Sequence, residues 1–184
     1  MKITTGKYKF KQIKSIKNNK LRPTTNKIRN AVFDILINRY ELLKWAKNAH
    51  LLDAFSGTGV ISLEGFSRNI AKATLIELDN PIFENLKENM RNFNLIKKVR
   101  LINSDFFSIK LPKNEYSLVY LDPPYLSNYN NLAIVKILDE NSLKKNAIIV
   151  SETGKKHEYN NDLCKYIKII KQYRNTIITF LKFD

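Results

Sequence analysis

The chain has 184 residues, of which 43% are hydrophobic, and 32 Lys and Arg residues against 17 Asp and Glu residues give it a net charge of +15. This length suits a single domain spanning residues 1–184, and no stretch approaches the roughly 18 uninterrupted apolar residues of a membrane span. One cysteine and two histidines exclude a disulfide framework and a His/Cys zinc cluster. We therefore expect a cytoplasmic protein without a metal site, and the positive charge favours nucleic acid as its partner.

The positive charge is concentrated at the N-terminus. Ten Lys or Arg residues fall within residues 1–29, and no acidic residue precedes Asp34. Apolar and basic side chains alternate over residues 1–22, which predicts a short β-ribbon with one positive face. After Pro23, an apolar stripe at helical spacing predicts a helix with Lys27, Arg29 and Asn30 off the stripe. We expect residues 1–40 to form a basic RNA-binding extension packed on the domain. The alternative explanation of the charge is compositional: drift toward A/T-rich codons would enrich the chain in Lys, Asn and Ile.

From His50 onward, segments typical of strands and helices alternate. This alternation predicts βαβ units and a doubly wound, mainly parallel sheet. The last two strands are separated by only a few residues, so we expect an antiparallel hairpin with Tyr173 and Arg174 at its bend. The predicted strands are 51–53, 73–78, 99–102, 118–121, 147–150, 166–170 and 176–181, and the predicted helices are 61–67, 81–93 and 132–138.

A glycine-containing turn follows the first predicted strand, where residues 53–60 read Asp-Ala-Phe-Ser-Gly-Thr-Gly-Val. Gly57 allows backbone torsions that other residues resist, and Gly59 lets a ligand approach the main chain closely. Glu77 lies at the end of the second predicted strand, where an acid accepts hydrogen bonds from ribose hydroxyls. These features predict a cofactor that contains adenosine, and they leave dinucleotides open.

Two details favour S-adenosylmethionine over NAD. Ser62 replaces the third glycine of the dinucleotide fingerprint, and Asp53 lies where a carboxylate would meet the ammonium group of an amino acid. After the third strand, Asp105 would accept a hydrogen bond from an adenine amino group, and Phe106 would lie beside the ring. An ordinary acid in a loop is the alternative for Asp105.

The sequence Asp122-Pro123-Pro124-Tyr125 follows the fourth predicted strand, at the edge where open α/β sheets bind ligands. The prolines hold the backbone extended, so the carboxylate of Asp122 and the carbonyl of Pro123 keep a set spacing. Two acceptors at this spacing would hold both protons of a planar amine and leave its lone pair free to attack an electrophile. Tyr125 would stack on the base. A Pro-Pro turn with Asp122 as a helix cap is the alternative.

Together these motifs resemble a known class of enzymes, the class I S-adenosylmethionine-dependent amino-methyltransferases. The resemblance rests on Asp53-x-Phe55-x-Gly57-x-Gly59, the acid after the second strand and Asp-Pro-Pro-Tyr, in this order and at this spacing. The N-terminal stretch is similar to the RsmD family, bacterial methyltransferases that act on guanine N2 of small-subunit ribosomal RNA. That similarity is carried by Gly6-Lys7, by Leu-Arg-Pro-Thr-Thr-Asn-Lys-Ile-Arg at residues 21–29 and by Val32-Phe33.

The resemblance implies a Rossmann-like fold with a mainly parallel seven-stranded sheet, a C-terminal antiparallel hairpin, and a short basic β-ribbon and helix at the N-terminus. It also implies a monomer, without metal, that acts on 16S ribosomal RNA as free RNA or within an assembled or partly assembled ribosomal subunit. Asn26 and Asn30 depart from the family, which often has acids there. The implied site residues are Asp53, Phe55, Gly57, Gly59, Glu77, Asp105 and Phe106 for the cofactor, Asp122, Pro123, Pro124 and Tyr125 for the guanine, and Lys7, Arg22, Thr24, Thr25 and Arg29 for the RNA.

Three other functions use similar motifs. A DNA adenine-N6 methyltransferase would also hold its target amine with Asp-Pro-Pro-Tyr, but sequence-specific DNA methylation needs a target-reading module for which this chain has only a short arm. A protein-glutamine methyltransferase usually has Asn in place of Asp122. A non-catalytic RNA-binding assembly factor would have eroded cofactor motifs, and these motifs are intact.

Overall fold

The structure is a computed structural model that describes residues 1–16, 25–124 and 128–184 of the chain. The strands in this part of the chain are β1 (His50–Asp53), β2 (Lys72–Glu77), β3 (Val99–Asn103), β4 (Tyr116–Leu121), β5 (Leu143–Gly154), β6 (Ile167–Tyr173) and β7 (Thr176–Phe183). The α-helices are α1 (Asn26–Tyr40), α2 (Leu42–Trp45), α3 (Val60–Ser67), α4 (Asn80–Asn92), α5 (Tyr129–Asp139) and α6 (Asn161–Cys164). Single 3-10 turns lie at Ala46–Asn48, Ile96–Lys98 and Phe106–Ser108.

The seven strands form one sheet in the order β3-β2-β1-β4-β5-β7-β6. The first five strands pair in parallel, and β7 runs antiparallel to both β5 and β6. The predicted parallel sheet with a C-terminal antiparallel hairpin is therefore confirmed, and Arg174 lies at the hairpin turn with a φ of 53°. The strand order reverses between β1 and β4, and such a switch point opens a ligand crevice at the carboxyl ends of the strands.

Helices cover both faces of the sheet and bury its central strands. On one face, α1, α3 and α4 pack against a core that includes Leu51, and on the other face α5 packs against a core that includes Leu52. All four residues of β1 are buried. Since successive side chains of a strand point to opposite faces, the middle of a central strand covered on both faces is apolar on both sides, as Leu51 and Leu52 are.

Local side-chain chemistry sets where the helices beside the crevice begin. The hydroxyl of Thr25 accepts a hydrogen bond from the backbone N–H of Ile28 and caps α1. Asp79 caps α4 in the same way through the N–H of Ile82, and Pro81 lies in the first turn, where its missing N–H costs nothing. Helix α4 therefore begins directly after β2, at the crevice edge of the sheet.

The N-terminal segment is a looser structure than the predicted ribbon. The N–H of Ile3 donates to the carbonyl of Lys11 at 3.1 Å and that of Ile13 donates to the carbonyl of Met1 at 2.9 Å, with one antiparallel bridge between Lys2 and Gln12. Tight turns fill the residues between these ends. The alternation of apolar and basic residues continues through those turns, and alternation alone does not distinguish a turn from a strand.

The position of Arg29 corrects the prediction that it lies off the apolar stripe. Its side chain is only 1% exposed, and Nε lies 3.4 Å from an oxygen of Glu64, which is 0% exposed in α3. One Nη donates to the carbonyl of Lys2 and to the amide oxygen of Asn26. The periodicity of α1 does not show that α3 supplies a buried counter-charge. The guanidinium therefore holds the N-terminal residues against α3 instead of facing solvent, where RNA would bind.

Candidate active site

Three of the predicted acids meet at one edge of the sheet. Asp53 ends β1, Glu77 ends β2, and Asp122 follows β4, and these strands are neighbours in the order β2-β1-β4. In the parallel register Asp53 pairs with Leu75 on one side and with Tyr120 on the other. Residues that lie far apart in the sequence therefore converge on the switch point of the sheet.

Asp53 is a buried carboxylate with a neutral partner. Its side chain accepts a hydrogen bond from the Ser62 hydroxyl at 2.8 Å, and the residue is 2% exposed. Burial raises the pKa of Asp53 from 3.8 to about 7. Among the described residues, no Lys, Arg or His nitrogen lies within ion-pair distance of this carboxylate. A desolvated carboxylate of this kind fits a ligand that brings its own positive charge.

The raised pKa of Asp53 makes the stability of the ligand-free protein pH-dependent. The unfolded chain releases this proton near pH 4, whereas the folded protein keeps it up to about pH 7. The folded state then holds the extra proton, so this contribution to stability is lost as the pH rises between these values, by up to about 4 kcal/mol. We expect Asp53→Asn, which can still accept from Ser62, to remove this part of the pH dependence in urea unfolding.

Comparing Asp53→Asn with the wild type separates the titration of Asp53 from that of the other acids that titrate in the same range. We expect equal free energies of unfolding near pH 4 and a more stable Asp53→Asn protein at pH 8. Parallel pH curves for the two proteins would mean that Asp53 is ionised in the folded state throughout.

The glycine turn and Glu77 form one hydrogen-bonded unit. The N–H of Gly57 donates to one oxygen of Glu77 at 2.9 Å, and the N–H of Asp79 donates to the other at 2.9 Å. Burial raises the pKa of Glu77. Gly59 has a φ of 78°, and a Cβ added there would lie 2.4 Å from a methyl group of Leu86. Only glycine fits this turn, and each Glu77 oxygen keeps a lone pair for a ligand hydroxyl.

Aromatic rings line the next part of the edge, after β3. Asp105 accepts from the N–H of Phe107 at 3.1 Å and from the hydroxyl of Ser108 at 3.0 Å. Phe106 is buried and packs against Phe55 with ring centroids 5.4 Å apart. Sequence analysis predicts that Phe106 lies beside an adenine ring. In the structure, the Phe106 side chain is already covered by protein. The neighbouring Phe107 is partly exposed, and its ring packs against Tyr129 with centroids 5.3 Å apart.

Asp122 is partly buried and stands beside a buried hydrogen-bonded pair. The hydroxyl of Tyr120 donates to a carboxylate oxygen of Glu152 at 2.7 Å. Since β5 pairs Val150 with Tyr120, strand alternation places Asp122 and Glu152 on the same face of the sheet. Burial, and then the negative charges of Glu152, Asp122 and Asp53, raise the pKa of Tyr120, so the phenol stays protonated and keeps donating.

Sequence analysis did not single out Tyr120, Glu152 or Asn130, which attaches the start of α5 to β5. The side-chain amide of Asn130 donates to the hydroxyl of Ser151 at 2.7 Å and to the carbonyl of Glu152 at 3.1 Å. These contacts fix the start of α5 to β5 close to Asp122. The signal available in the sequence was the period-two spacing of Tyr120 and Asp122, but the contacts to β5 bridge more than 20 residues and have no local signature.

Of the residues predicted to contact RNA, the structure describes Lys7, Thr25 and Arg29. Arg22 and Thr24 lie outside the described residues, as does Tyr125 of the guanine-binding set. Thr25 is exposed and caps α1. The N–H of Lys7 donates to the carbonyl of Ser67, the last residue of α3. Since α3 starts at the carboxyl end of β1 and runs back along the sheet, Lys7 lies at the opposite edge from Asp122.

Two further observations concern membrane spans and metal sites. No helix among the described residues is long and apolar enough to cross a membrane. Within the same residues, His, Cys, Asp and Glu side chains do not form a group of three or more that could hold a metal ion.

Comparison with known proteins finds a matching family and named relatives. The family model described as Conserved hypothetical protein 95 matches residues 1–182. The protein named Ribosomal RNA small subunit methyltransferase D of Buchnera aphidicola subsp. Acyrthosiphon pisum is 34% identical over 157 residues, which cover 84% of this chain and 78% of that protein. The protein of the same name from Haemophilus influenzae is 30% identical over 159 residues, 84% of this chain and 79% of that protein.

Solved structures show the same fold. The putative methyltransferase yhhF from Escherichia coli superposes with a TM-score of 0.82 at 22% identity and covers 100% of this chain and 98% of that one. An RNA methyltransferase from Salinibacter ruber, solved in complex with S-adenosyl-L-homocysteine, gives a TM-score of 0.66 at 17% identity and covers 88% of this chain and 93% of that one. At these identities, the likeness establishes the Rossmann-like fold of the sheet and its helices.

Proposed function

This chain belongs to the family described as Conserved hypothetical protein 95, and we propose that it transfers a methyl group from S-adenosylmethionine to the exocyclic N2 amine of a guanine in 16S ribosomal RNA. Relatives named Ribosomal RNA small subunit methyltransferase D support the substrate class. The observation that carries the chemistry is the convergence of Asp53, Glu77 and Asp122 at neighbouring strand ends. In this proposal the chain acts as a cytoplasmic monomer whose residues 1–40 serve as an RNA-binding extension.

The carboxylates that end β1 and β2 fit the ammonium and the ribose of S-adenosylmethionine. The buried carboxylate of Asp53 would face the ammonium of the methionine end, and Glu77 would accept from the ribose hydroxyls. Gly57 would keep the main chain open to the cofactor, and Gly59 lets the turn pack closely against Leu86 of α4. Phe55 and the residues after β3 would lie toward the adenine. When bound, S-adenosylmethionine supplies a methyl group on a positively charged sulfur, which is already a good leaving group.

Asp122 and the carbonyl of Pro123 orient the guanine amine. Each would accept one N–H of the amine, which leaves its lone pair directed at the methyl carbon for an in-line displacement. Proline at positions 123 and 124 holds this spacing because its ring fixes φ. Asp122 acts as a hydrogen-bond acceptor and not as a strong base, since the amine proton becomes acidic only after the new carbon–nitrogen bond forms. Tyr125 would stack on the guanine.

The target base must leave its stack to reach this edge of the sheet. Unstacking costs a few kcal/mol, which favours a nucleotide in a loop over one inside a duplex. The buried Tyr120–Glu152 pair and the Asn130 contacts to β5 give the base a rigid wall next to Asp122. Side chains that are already fixed lose little conformational freedom when the base binds, so the entropic cost of binding is lower.

The proposal is tested by transfer of labelled methyl from S-adenosylmethionine to unmethylated small subunits, protein-free 16S ribosomal RNA and duplex DNA, followed by nucleoside analysis. We expect N2-methylguanosine in at least one ribosomal substrate, and the comparison of the two identifies the assembly state that is recognised. N6-methyladenine in the DNA would replace this proposal with a DNA methyltransferase. Binding of the cofactor without transfer to any substrate would leave the assembly-factor alternative.

A further inference from the structure

An exposed phenylalanine in a strained turn marks a second surface of the protein. Phe10 is 68% exposed and has a φ of 68°. A bulky side chain rarely adopts this left-handed conformation, because Cβ crowds the following carbonyl. Six of the nine positive-φ residues other than glycine in the described chain are asparagine, which tolerates this conformation. Asparagine at position 10 would carry less backbone strain than phenylalanine. Neither the backbone conformation nor packing therefore requires an aromatic ring at this exposed position.

Three lysines lie close to Phe10 in the sequence, and one of them contacts its ring. The ammonium of Lys9 lies 4.8 Å from the centroid of the Phe10 ring, that of Lys7 lies 4.7 Å from the ring of Tyr8, and that of Lys11 lies 4.3 Å from the ring of Phe93. Within the described part of the chain, none of the three forms an ion pair with an acid. We call residues 7–11 the basic turn. It presents an exposed aromatic ring together with three positive charges that no described carboxylate neutralises.

The basic turn is fixed to the body of the protein. The N–H of Lys7 donates to the carbonyl of Ser67 at 3.0 Å, and that of Tyr8 donates to the Ser67 hydroxyl at 3.0 Å. Gly6 has a φ of 81°, and a Cβ added there would lie 2.0 Å from the Ser67 carbonyl oxygen, so this contact requires glycine. The Lys11 ammonium also donates to the carbonyl of Asn92 at 2.6 Å. An anchored surface of this kind is ordered before a partner arrives.

The anchors also place the basic turn far from Asp122. Ser67 and Asn92 are the last residues of α3 and α4, and both helices begin at the crevice edge of the sheet. Helix α4 has 13 residues, so its two ends are about 20 Å apart. A guanine held by Asp122 cannot touch Phe10, whereas a longer RNA that continues past the target nucleotide can reach it.

We propose that the basic turn is a second RNA contact, in which Phe10 stacks on an unpaired base and Lys7, Lys9 and Lys11 bind the neighbouring phosphates. Aromatic rings stack on any base, and ammonium groups bind the backbone without regard to sequence. The contact therefore adds affinity for a large folded RNA but does not select the target guanine. This inference rests on the proposed function, since it takes the substrate to be RNA.

The decisive variant is Phe10→Gly, which removes the ring and relieves the strained φ. We expect a melting temperature at or above that of the wild type and unchanged cofactor binding. For the ribosomal substrate that the wild type methylates, whether protein-free RNA or assembled subunit, we expect KM to rise about ten-fold, as the loss of one stacked base predicts. The effect should fall on KM and not on kcat. Leu43→Ala is the matched control, because Leu43 is 55% exposed in α2 and should leave KM unchanged.

A second variant reports on stacking directly. In Phe10→Trp the ring is kept, so KM should stay within about two-fold of the wild type, and RNA should quench the emission of the new indole. The native Trp45 is the only other tryptophan, and its indole is tied to the carbonyl of Tyr40 at 2.7 Å, which gives a constant background. This variant also separates loss of the ring from any change in the backbone.

The outcomes distinguish this inference from the proposed function. A wild-type KM in Phe10→Gly, or an unquenched indole in Phe10→Trp, would overturn the RNA contact while the wild type still methylates RNA. An equal loss on an oligonucleotide limited to the target loop would place the ring at the active site and also contradict the proposal. Failure of the wild type on every ribosomal substrate would instead refute the proposed function.

Discussion

Asp122→Ala is expected to abolish methyl transfer while the protein still folds and binds S-adenosylmethionine. The proposed role of the carboxylate is to accept one N–H of the guanine amine and so direct the lone pair at the methyl carbon. Loss of a single polar group that acts in the transition state typically lowers kcat by about 100-fold or more. Cofactor binding should persist, because Asp53 and Glu77 lie on β1 and β2, and their hydrogen bonds do not involve Asp122. Single-turnover methyl transfer and calorimetric titration of the cofactor measure the two effects separately.

Two further substitutions sharpen this test. Asp122→Asn keeps one carbonyl acceptor, so we expect residual activity between that of the wild type and that of Asp122→Ala. Asp162→Asn changes an exposed acid at the start of α6 and serves as the matched control with unchanged turnover. Turnover of Asp122→Ala within about two-fold of the wild type would contradict the amine-orienting role, since the remaining acceptor, the Pro123 carbonyl, cannot hold both protons.

Glu64→Gln is expected to cause the largest loss of stability in the molecule. The carboxylate is 0% exposed and lies between two buried guanidinium groups, with Arg29 at 3.4 Å and Arg68 at 2.6 Å. It also accepts from the N–H and the hydroxyl of Thr4, both at 2.9 Å. Neutralising it removes the negative charge that both guanidinium groups share, and breaking a buried ion pair from one side costs about 3–5 kcal/mol. That is a large fraction of the roughly 5–15 kcal/mol by which a domain is stable.

Urea unfolding followed by circular dichroism measures this loss. Glu88→Gln is the control, because Glu88 pairs with Lys14 at the surface, where both side chains are largely exposed. Removal of an exposed pair changes stability by at most about 1 kcal/mol. Equal midpoints for the two variants would mean that solvent reaches the Arg29–Glu64–Arg68 group and screens its charges. We also expect Glu64→Gln to loosen residues 1–4, which proteolysis near the N-terminus would detect.

The parts of this protein that sequence determines by itself are those set by local backbone chemistry. Glycine at positions 57 and 59 permits the turn after β1, proline at positions 123 and 124 extends the chain after β4, and Thr25 caps α1 through a residue three positions away. The alternation of apolar runs with helical patterns also predicts the parallel sheet. Parallel strands carry their loops at one edge, so the convergence of Asp53, Glu77 and Asp122 follows from the fold class.

Tertiary structure alone decided where charged and aromatic side chains of similar local pattern are placed. Arg29 is buried because α3 carries Glu64, 35 residues away, and the Tyr120–Glu152 pair joins two strands. Lys7 and Phe10 lie at the edge opposite Asp122 because Ser67 ends α3 there. A helical or alternating pattern reports which residues share a face, but the cost of burying a charge depends on counter-charges that distant segments bring. That cost is settled only when the segments pack together.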